Sequence, residues 1–549
     1  MNNIWVNNYQ KGVPTSIEPI KFNNLVEIFQ DSCGRFAHNS AFVHLGHVVS
    51  YQELYALAHK FAAFLQSIGL KKGDRIAIML PNTLQYPVAL FGSFLAGLIV
   101  VNTNPLYTPA ECTNQLSNSS AKAIVVLENF AHTIAEAKSQ LPDLQHIIIT
   151  KVGDLFPWYK KALINSIVKY WKKMIPAYDI PDAIFFDTTI HHNHPYHRVS
   201  IEGHNLAFIQ YTGGTTGVSK GAMLTHRNMV ANILQASCWI APEGFDEHDR
   251  IVTALPLYHV FSLTANLFVF FHLGATNLLI TNPSDVKSLI KQISKFKMTA
   301  FTGVNTLFNV LLKNKDFTDI DFSCLKFTLS GGMALQESVA RKWQEVTHTP
   351  IIEAYGLTET SPAVAINPLY IKDYNGSIGL PLPSTDIALR DGDGKEVPVG
   401  TPGELCVKGP QVMLGYWHDD ASTQQVFYAD GFLKTGDIAC MQNNGMLFLV
   451  DRKKDMILVS GFNVYPNEVE KVINMLPGVF EVGVIGVKID EGSEKVKACI
   501  VKSDPMLTAD DVRKHCKKYL TGYKIPKIIE FYDTLPKSNV GKILRRSLS

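Results

Sequence analysis

Glycine, threonine and one lysine are concentrated in a short loop between two apolar segments. The chain reads YTGGTTGVSKGAMLTHRN over residues 211–228. Backbone N–H groups and hydroxyls in such a loop, together with the Lys220 ammonium, suit the oxygens of a phosphate group. The loop is not of the Walker A type, because Lys220 follows Ser219 and precedes Gly221 instead of a hydroxyl residue. The pattern favours a phosphate site, and an ordinary surface loop between a strand and a helix stays open as the alternative.

Length, charge and cysteine spacing restrict the class of protein. A chain of 549 residues exceeds one ordinary core, so two or more domains are expected. A formal charge of +2 argues against nucleic-acid binding and favours small-molecule partners. The eight cysteines are scattered without a C-x-x-C pair, which indicates a reducing cytosol and no structural zinc. The start MNNIWVNNYQKG lacks the features of a signal peptide, so export is not expected.

The segments that must position the loop alternate between helix and strand. Residues 50–69 open with Ser50 and Glu53 in capping-box spacing, repeat apolar residues at the helical period and stop at Gly69. The next segments predict a strand (DRIAIMLP), a helix (LQYPVALFGSFLAG) and a strand (LIVVN). This alternation is typical of an α/β fold.

Two later regions differ from this pattern. Frequent Gly and Asp over residues 376–415 predict short strands joined by tight turns, and hence a smaller β-rich lobe. After DRKKD (451–455), a helix around Glu468, a capped helix from Thr508 and three strands predict a separate α+β domain. The chain is therefore expected to end in a small unit with its own core.

Two unusual stretches have simple structural explanations. Residues 251–284 contain no Asp, Glu, Lys or Arg, but Pro, His, Asn and Gly interrupt them. A buried strand, turn and helix is favoured over a membrane-spanning helix. The cluster HHNHPYHR (191–198) has imidazoles that suit a transition metal, yet it lacks a nearby Cys or carboxylate. A polar linker is favoured there.

Four further motifs follow the glycine loop in a fixed order. They are EAYGLTETSP at 353–362, DGFLKTGDIA at 430–439, VDRKKDMILVSGFNVYPNEVE at 450–470 and PKSNVGKILRR at 536–546. Over essentially the whole chain, this set resembles the adenylate-forming (acyl-activating) superfamily, and the third motif is most similar to bacterial long-chain fatty-acid–CoA ligases. The resemblance implies an α/β fold of the acyl-CoA synthetase/luciferase type. Residues 1–451 would form a large multi-subdomain adenylation domain, with parallel α/β lobes and a small β-rich lobe, and residues 452–549 a small mobile α+β domain.

The resemblance implies a two-step reaction. ATP would activate a long-chain fatty acid to acyl-AMP with release of pyrophosphate, and CoA would then take the acyl group and release AMP. A carboxylate resists a thiol because it is anionic and would have to expel oxide, so AMP is installed as the leaving group. Since the carboxylate itself attacks the α-phosphorus, the protein needs only to position groups and stabilise charge. The implied ligands are ATP, Mg²⁺, CoA and the fatty acid.

The resemblance also assigns the phosphate and metal contacts. The residues that would surround the β- and γ-phosphates are Thr212, Gly213, Gly214, Thr215, Thr216 and Gly217, with Lys220 adding positive charge. Glu359 would bind Mg²⁺, which prefers a few carboxylate oxygens together with phosphate oxygens. Thr358 would touch the α-phosphate. For Glu359, a solvated side chain on a turn is the alternative.

Nucleoside and acyl contacts follow from the same resemblance. Tyr355 and Gly356 would lie beside adenine, and Asp437 has two acceptor oxygens for the ribose hydroxyls, with Arg452 holding the same ribose. His259 would lie beside the carboxylate, unless it is a satisfied core histidine. The residues implied for the floor between adenine and the acyl tail are Gly331, Gly332 and Met333, and those for the acyl lining are Phe261, Val304 and Phe308.

The second step requires a different geometry. Lys542 would stabilise charge in the adenylation transition state, while the neighbouring Arg545 and Arg546 are interpreted as solvated. Lys454 would be the hinge about which the small domain rotates. Gly461 would then lie on the pantetheine path, where the absence of a Cβ permits close approach.

Other functions stay open at this stage. The same two-step ligase could act on a medium-chain or aryl acid, or load an acyl carrier protein. A non-enzymatic lipid-binding membrane protein is the third interpretation, which an intact set of Lys220, Glu359, Asp437 and Lys542 argues against. Chain-length preference is not encoded in any motif, because core and pocket residues have the same composition.

One basic, aromatic segment is not explained by the catalytic motifs. Residues 155–176 read LFPWYKKALINSIVKYWKKMIP and place an apolar face opposite a lysine-rich face on a helical wheel. Such a helix suits the interface of an anionic membrane, and a surface helix packed on the large domain is the alternative. The first interpretation predicts a cytoplasmic protein bound peripherally to the cytoplasmic face of the membrane. A homodimer is compatible with the sequence.

Overall fold

The computed structural model describes residues 3–212, 219–459, 462–490, 493–538 and 543–548. This part of the chain contains 25 strands and 17 α-helices, numbered in chain order. The strands are β1 Ser40–His44, β2 His47–Ser50, β3 Arg75–Met79, β4 Ile99–Asn102, β5 Ala123–Leu127, β6 His146–Thr150, β7 Ile184–Phe185, β8 Leu206–Tyr211, β9 Gly221–Thr225, β10 Arg250–Thr253, β11 Thr276–Leu279, β12 Ala300–Gly303, β13 Phe327–Ser330, β14 Ile351–Gly356, β15 Ala363–Ile366, β16 Leu380–Pro381, β17 Asp386–Arg390, β18 Gly403–Lys408, β19 Leu433–Met441, β20 Leu447–Arg452, β21 Ile457–Val459, β22 Phe462–Val464, β23 Val479–Asp490, β24 Ser493–Lys502 and β25 Ile528–Tyr532. The helices are α1 Leu25–Arg35, α2 Tyr51–Ser67, α3 Gln85–Leu95, α4 Pro109–Ser119, α5 Ala131–Ala137, α6 Trp158–Ser166, α7 Phe186–Ile190, α8 His226–Ile240, α9 Val260–Ser262, α10 Val269–His272, α11 Val286–Phe296, α12 Asn305–Leu312, α13 Lys315–Thr318, α14 Glu337–Thr347, α15 Asp420–Val426, α16 Pro466–Asn474 and α17 Ala509–Tyr519.

Two large, mainly parallel sheets form most of the molecule. One has seven strands in the order β7-β6-β5-β3-β4-β8-β9, and the other has nine in the order β16-β15-β14-β13-β12-β10-β11-β1-β2. Parallel strands covered by helices read as continuous apolar runs, and β5 (AIVVL) is buried along its whole length. The α/β fold class predicted from the sequence is confirmed.

The nine-stranded sheet aligns the ends of three strands. In its register Gly303 lies opposite Ser330, which lies opposite Glu353. Because the carboxyl ends of parallel strands meet at the same edge, the residues that follow β12, β13 and β14 converge there. This edge holds Val304 and Gly331, two of the residues singled out from the sequence.

The capping signals read from the sequence are present. The Ser50 side chain accepts a hydrogen bond from the Glu53 N–H, and the Glu53 carboxylate accepts one from the Ser50 N–H at 2.8 Å. Helix α2 ends just before Gly69, whose φ of +88° is a conformation that side-chain-bearing residues rarely adopt. Local chemistry therefore sets both ends of this helix.

The β-rich lobe and the terminal unit also match their predicted elements. Strands β17 to β20 form an antiparallel sheet, and β23, β24 and β25 form a separate three-stranded sheet. Helix α16 begins at Pro466, and α17 has the expected capping box between Thr508 and Asp511. These elements enclose a cluster of buried apolar side chains of their own.

The apolar stretch at 251–284 folds as strand, short helices and strand, namely β10, α9, α10 and β11. Phe268 and Phe271 within it are completely buried. Among the described helices, none has both the length and the apolarity needed to cross a bilayer. In the histidine cluster, Nε2 of His192 lies 2.9 Å from the Lys60 carbonyl oxygen. The described residues contain no group of three or more ligating side chains that could hold a metal.

The basic, aromatic segment is only partly an α-helix. Helix α6 continues through a π-helical turn over Ile167–Trp171, whereas Leu155 and Phe156 precede the helix. Trp158 and Trp171 are 82% and 85% exposed, whereas Phe156 is buried and Ile164 packs against the main apolar cluster of the large domain. The segment therefore packs one side on the large domain and exposes two tryptophan rings to solvent.

Arg545 is embedded in a network of carboxylates. Its guanidinium lies 2.8 Å from Glu470, 3.0 Å from Asp455 and 3.4 Å from Asp451, and it also donates to the Asn467 side chain. Burial raises the pKa of Asp451 and of Glu470, and the guanidinium opposes this. The interpretation of Arg545 as a solvated residue was wrong, because carboxylates distant in the sequence converge on it.

We expect Arg545→Met to destabilise the terminal unit by about 3–5 kcal/mol, because it leaves partly buried carboxylates without their cation. Amide hydrogen exchange in α16 and β23 measures this loss. The matched control is Arg513→Met, which removes an exposed pair with Asp510 and should cost no more than about 0.5 kcal/mol. Equal protection of the two variants would contradict a structural role for Arg545.

Candidate active site

One large cleft of about 2440 Å³ collects most of the residues singled out from the sequence. Its walls come from the ends of β12, β13 and β14, from the strands flanking the glycine loop and from the four-stranded sheet. Residues after position 452 line it as well, among them Glu468 and Lys537. The cleft is therefore bounded by both the large part of the chain and the terminal unit.

Asp437 connects two walls of the cleft. Its carboxylate accepts a hydrogen bond from the Tyr355 hydroxyl at 2.7 Å and lies 3.0 Å from Nε of Arg452. The β19–β20 register places Asp437 opposite Arg452. Burial raises the pKa of Tyr355 well above its usual value, and the nearby Asp437 adds to this. The phenol thus stays protonated and can donate to the carboxylate.

Lys220 and Glu359 meet through a tyrosine. The Lys220 ammonium lies 5.3 Å from the centroid of the Tyr416 ring, and the Tyr416 hydroxyl donates to Glu359 at 2.8 Å. Lys220 also donates to Ser422 at 2.6 Å and lies 3.9 Å from Asp419. The cation and the carboxylate are thus held on the same side of the cleft, beside the glycine loop.

The apolar wall is formed by α8 and the strand ends. Phe261 lies against Gly331, where an added Cβ would meet the ring at 3.1 Å. Further apolar lining residues are Ala236, Ile240, Phe270, Val304, Phe327 and Leu329. Phe308 was predicted to line the cleft and does not: its ring packs 4.8 Å from Trp343 in the core. A phenylalanine of the core and one of a pocket have the same sequence signature.

Two titratable groups in the cleft have shifted pKa values. Burial lowers the pKa of His259 to about 4, and its Nδ1 accepts the Phe261 N–H at 3.4 Å. His259 is therefore neutral near pH 7. Burial raises the pKa of Glu353 to about 8, so this carboxyl is largely protonated at the same pH. Both changes reduce the charge in the region between the polar and apolar walls.

Gly356 requires the absence of a side chain. An added Cβ would lie 2.0 Å from the Pro362 carbonyl oxygen, closer than any real contact. The glycine lets the chain double back, so that the turn carrying Thr358 and Glu359 faces the cleft. A larger residue would displace this turn.

The structure brings together the predicted residues that it describes. Those lining the cleft are Thr212, Lys220, His259, Gly331, Gly332, Met333, Tyr355, Gly356, Thr358, Glu359, Asp437, Arg452 and Lys454. The remaining predicted residues lie outside the described part of the chain: Gly213, Gly214, Thr215, Thr216, Gly217, Gly461 and Lys542. The described neighbours of Lys542, Ser538 and Ile543, line the cleft.

Sequence reasoning missed Tyr416 and Glu353. Tyr416 lies in the segment LGYWH, which carries no recognised spacing, and only the folded chain brings it to Glu359. Glu353 directly precedes Ala354 and Tyr355 in a motif that was used, so its position next to a cleft residue was an available signal.

The donor set fits one divalent ion held mainly by a ligand's phosphates. Glu359 offers a carboxylate, and the described residues bring no further pair of ligating side chains beside it. Mg²⁺ commonly takes one or two carboxylates and completes its shell with phosphate oxygens and water. The cleft can therefore bind a polyphosphate at the Lys220–Glu359 side, two vicinal hydroxyls at Asp437 and an apolar chain beside α8.

Comparison with solved structures agrees with this geometry. The anthranilate CoA ligase AuaEII in complex with anthranoyl-AMP superposes with a TM-score of 0.84 at 25% identity, covering 96% of this chain and 97% of that one. ATP-bound MatB from Rhodopseudomonas palustris gives a TM-score of 0.82 at 27% identity, covering 96% and 98%. Both proteins share the complete two-part architecture.

Comparison of sequences identifies the family. The chain is 52% identical to a long-chain-fatty-acid–CoA ligase of Escherichia coli O6:H1 and 48% identical to one of Haemophilus influenzae, covering in each case 100% of this chain and 98% of the relative. The model of the AMP-binding enzyme family matches residues 29–417, and that of its C-terminal domain matches residues 468–542. The chain therefore belongs to the AMP-binding enzyme family.

Proposed function

We propose that this chain is an ATP-dependent long-chain fatty-acid–CoA ligase. It forms acyl-AMP and pyrophosphate from the acid and ATP, and then transfers the acyl group to CoA with release of AMP. The observation that carries the proposal is one continuous cleft with ionic groups at Lys220 and Glu359 and an apolar wall at α8. A substrate with an anionic head and a long apolar tail matches a cleft that is ionic on one side and apolar on the other.

In the first step, the protein positions two anions against each other. Lys220 and the glycine loop hold the β- and γ-phosphates, Glu359 binds Mg²⁺, and Asp437 with Arg452 holds the ribose. Mg²⁺ held by Glu359 would neutralise part of the charge on the phosphates. His259 lies beside the acyl carboxylate. Because its imidazole is neutral, it does not form an ion pair that would stabilise the carboxylate before it attacks. Phosphoryl chemistry of this kind depends on positioning and on electrostatic stabilisation.

In the second step, the terminal unit turns about Lys454. In this proposal, the large domain comprises residues 1–451 and the small domain comprises residues 452–549. Lys542 acts during adenylation, and Gly461 passes the pantetheine arm of CoA after the rotation. Lys453 lies 3.0 Å from the buried Glu404, so the chain just before the hinge is anchored to β18. All residues with a proposed role belong to a single chain, so the mechanism does not require a second subunit. A homodimer is compatible with the proposal.

The acyl tail lies along the apolar wall. Ala236 and Ile240 are one turn apart on α8, and they line the same cleft as Phe270 and Phe327. Burial of a long chain against such side chains contributes about 0.8 kcal/mol for each methylene. The small size of Ala236 leaves room at this wall, which makes it a determinant of the chain length accepted.

A panel of acids tests the function and the acyl wall together. Exchange of pyrophosphate into ATP should depend on palmitate or oleate in the wild type. Ala236→Phe should lower exchange with palmitate about 10-fold or more, because the ring occupies the tail's path, while octanoate still supports it. The graded control Ala236→Val should give a smaller loss. Exchange only with aryl or short acids would assign another substrate, and no exchange with any acid would rule out the ligase.

Lys542→Ala should separate the two half-reactions. Formation of acyl-AMP should fall about 100- to 1000-fold, because charge developing at the α-phosphate loses its cation. Transfer from preformed acyl-AMP to CoA should keep most of its rate. The matched control is Lys527→Ala, an exposed lysine of the same domain, which should change neither step. A comparable fall in both half-reactions would make Lys542 a shared or structural residue.

The basic, aromatic segment docks the enzyme on the cytoplasmic face of an anionic membrane. Trp158 and Trp171 are exposed beside Lys169, Lys172 and Lys173, which are exposed as well. Aromatic rings at the interface and lysines near anionic headgroups are the features of peripheral helices. A long-chain acid partitions into lipid, so a docked enzyme meets it at high local concentration.

Vesicle co-sedimentation tests this docking. Changing Lys169, Lys172 and Lys173 to Gln should weaken binding to anionic vesicles, since each lysine contributes about 1 kcal/mol near the surface. Lys161 is left intact because it pairs with Asp187 at 2.6 Å. The matched control changes three lysines on another helix, α11, namely Lys287, Lys291 and Lys295. Equal sedimentation of both triple variants would reject docking through this segment.

A further inference from the structure

A lysine of the large domain lies against an aromatic ring of the small domain. Lys313 directly follows helix α12, and its ammonium is 3.6 Å from the centroid of the Phe480 ring in β23. Cation–π contacts act within about 6 Å of the centroid. The two residues lie on opposite sides of the hinge at Lys454, so the contact crosses the domain boundary.

Acidic and basic groups surround this contact. Glu481 follows Phe480, is 8% exposed and pairs with Lys537 at 2.6 Å. Burial lowers the pKa of Lys313, and the Glu481 carboxylate opposes this shift. The Glu481 carboxylate therefore interacts with two cations, Lys537 of the small domain and Lys313 of the large domain.

The contact lies at the base of the terminal segment. Lys537 forms an antiparallel bridge with Ile543, and these two residues flank the stretch that contains Lys542. Phe480 and Ile543 pack on the same apolar cluster, which includes Leu548. A contact that fixes the position of Phe480 therefore also restrains Lys537 and Ile543, the two ends of the terminal segment.

The other end of α12 reaches the substrate cleft. Val304 and Asn305, at its N-terminal end, line the cleft, and an eight-residue helix is about 12 Å long. The same rigid element therefore contacts the cleft at one end and the small domain at the other.

We propose that Lys313 is a positioning residue that holds the small domain in the orientation of this structure, which we assign to adenylation because Ser538 and Ile543, on either side of the stretch that contains Lys542, line the cleft. This inference rests on the two-step function proposed above. Rotation at Lys454 must separate Lys313 from Phe480, so the contact stabilises one orientation only and shifts the population toward it. Its loss should lower the rate of acyl-AMP formation about two- to fivefold, the range expected for an exposed cation–π contact.

The test measures both half-reactions in the full-length enzyme. Lys313→Gln and Phe480→Leu should each slow pyrophosphate exchange, while acyl transfer from preformed acyl-AMP to CoA keeps or gains rate. The double variant should lose no more than the larger single loss, because both changes remove the same contact. Lys313→Arg should retain the wild-type ratio of the two rates. The matched control is Lys315→Gln, an exposed lysine two positions away, which should change neither rate.

Each other outcome has a defined meaning. If the wild type catalyses neither half-reaction, the proposed function itself fails. With an active wild type, an unchanged ratio in Lys313→Gln overturns the positioning role. Equal losses in both half-reactions, or additive losses in the double variant, overturn it as well, because they indicate general destabilisation or two independent effects.

Discussion

The carboxylate of Asp437 is the constraint on which the cleft depends. It accepts a hydrogen bond from Tyr355 at the end of β14 and pairs with Arg452 at the end of β20. Because Asp437 is only 4% exposed, separating it from Arg452 would leave a buried charge without its cation, and separating it from Tyr355 would remove a buried hydrogen bond. The nine-stranded sheet, the four-stranded sheet and the start of the hinge are therefore held in one geometry.

A second set of contacts joins Glu359 and Lys220 to the end of the same strand. Tyr416 donates to Glu359, which lies just beyond β14, and its ring faces Lys220 at the start of β9. The residues at the end of β14 thus contact Asp437 and Tyr416 within a few positions of each other. Catalysis that relies on positioning needs this rigidity. In the proposed mechanism, most of the large domain is the fixed part against which the terminal unit rotates.

The sequence predicted the parts of this arrangement that depend on local chemistry. The capping box at Ser50, the α/β alternation and the family's motifs gave the fold class and the ligase function, and both are confirmed. It could not distinguish Phe261 in the cleft from Phe308 in the core, because both are apolar residues in apolar surroundings. The carboxylates around Arg545 were equally inaccessible, since they lie 75 to 94 positions away in the chain.

The rotation proposed at Lys454 would have to break the contacts between the terminal unit and the rest of the chain. Arg545 approaches Glu470 and Asp455 of the terminal unit at 2.8 and 3.0 Å and the buried Asp451 at 3.4 Å, and Asp451 also accepts a hydrogen bond from the Asn467 N–H at 2.7 Å. Lys313 and Phe480 are partly exposed and form a contact of modest energy. A short, fully buried ion pair across the boundary would cost several kcal/mol to separate and would trap one orientation. The proposed rotation must therefore exchange the contacts of the buried Asp451 for others of comparable energy, whereas the exposed Lys313–Phe480 contact can break at little cost.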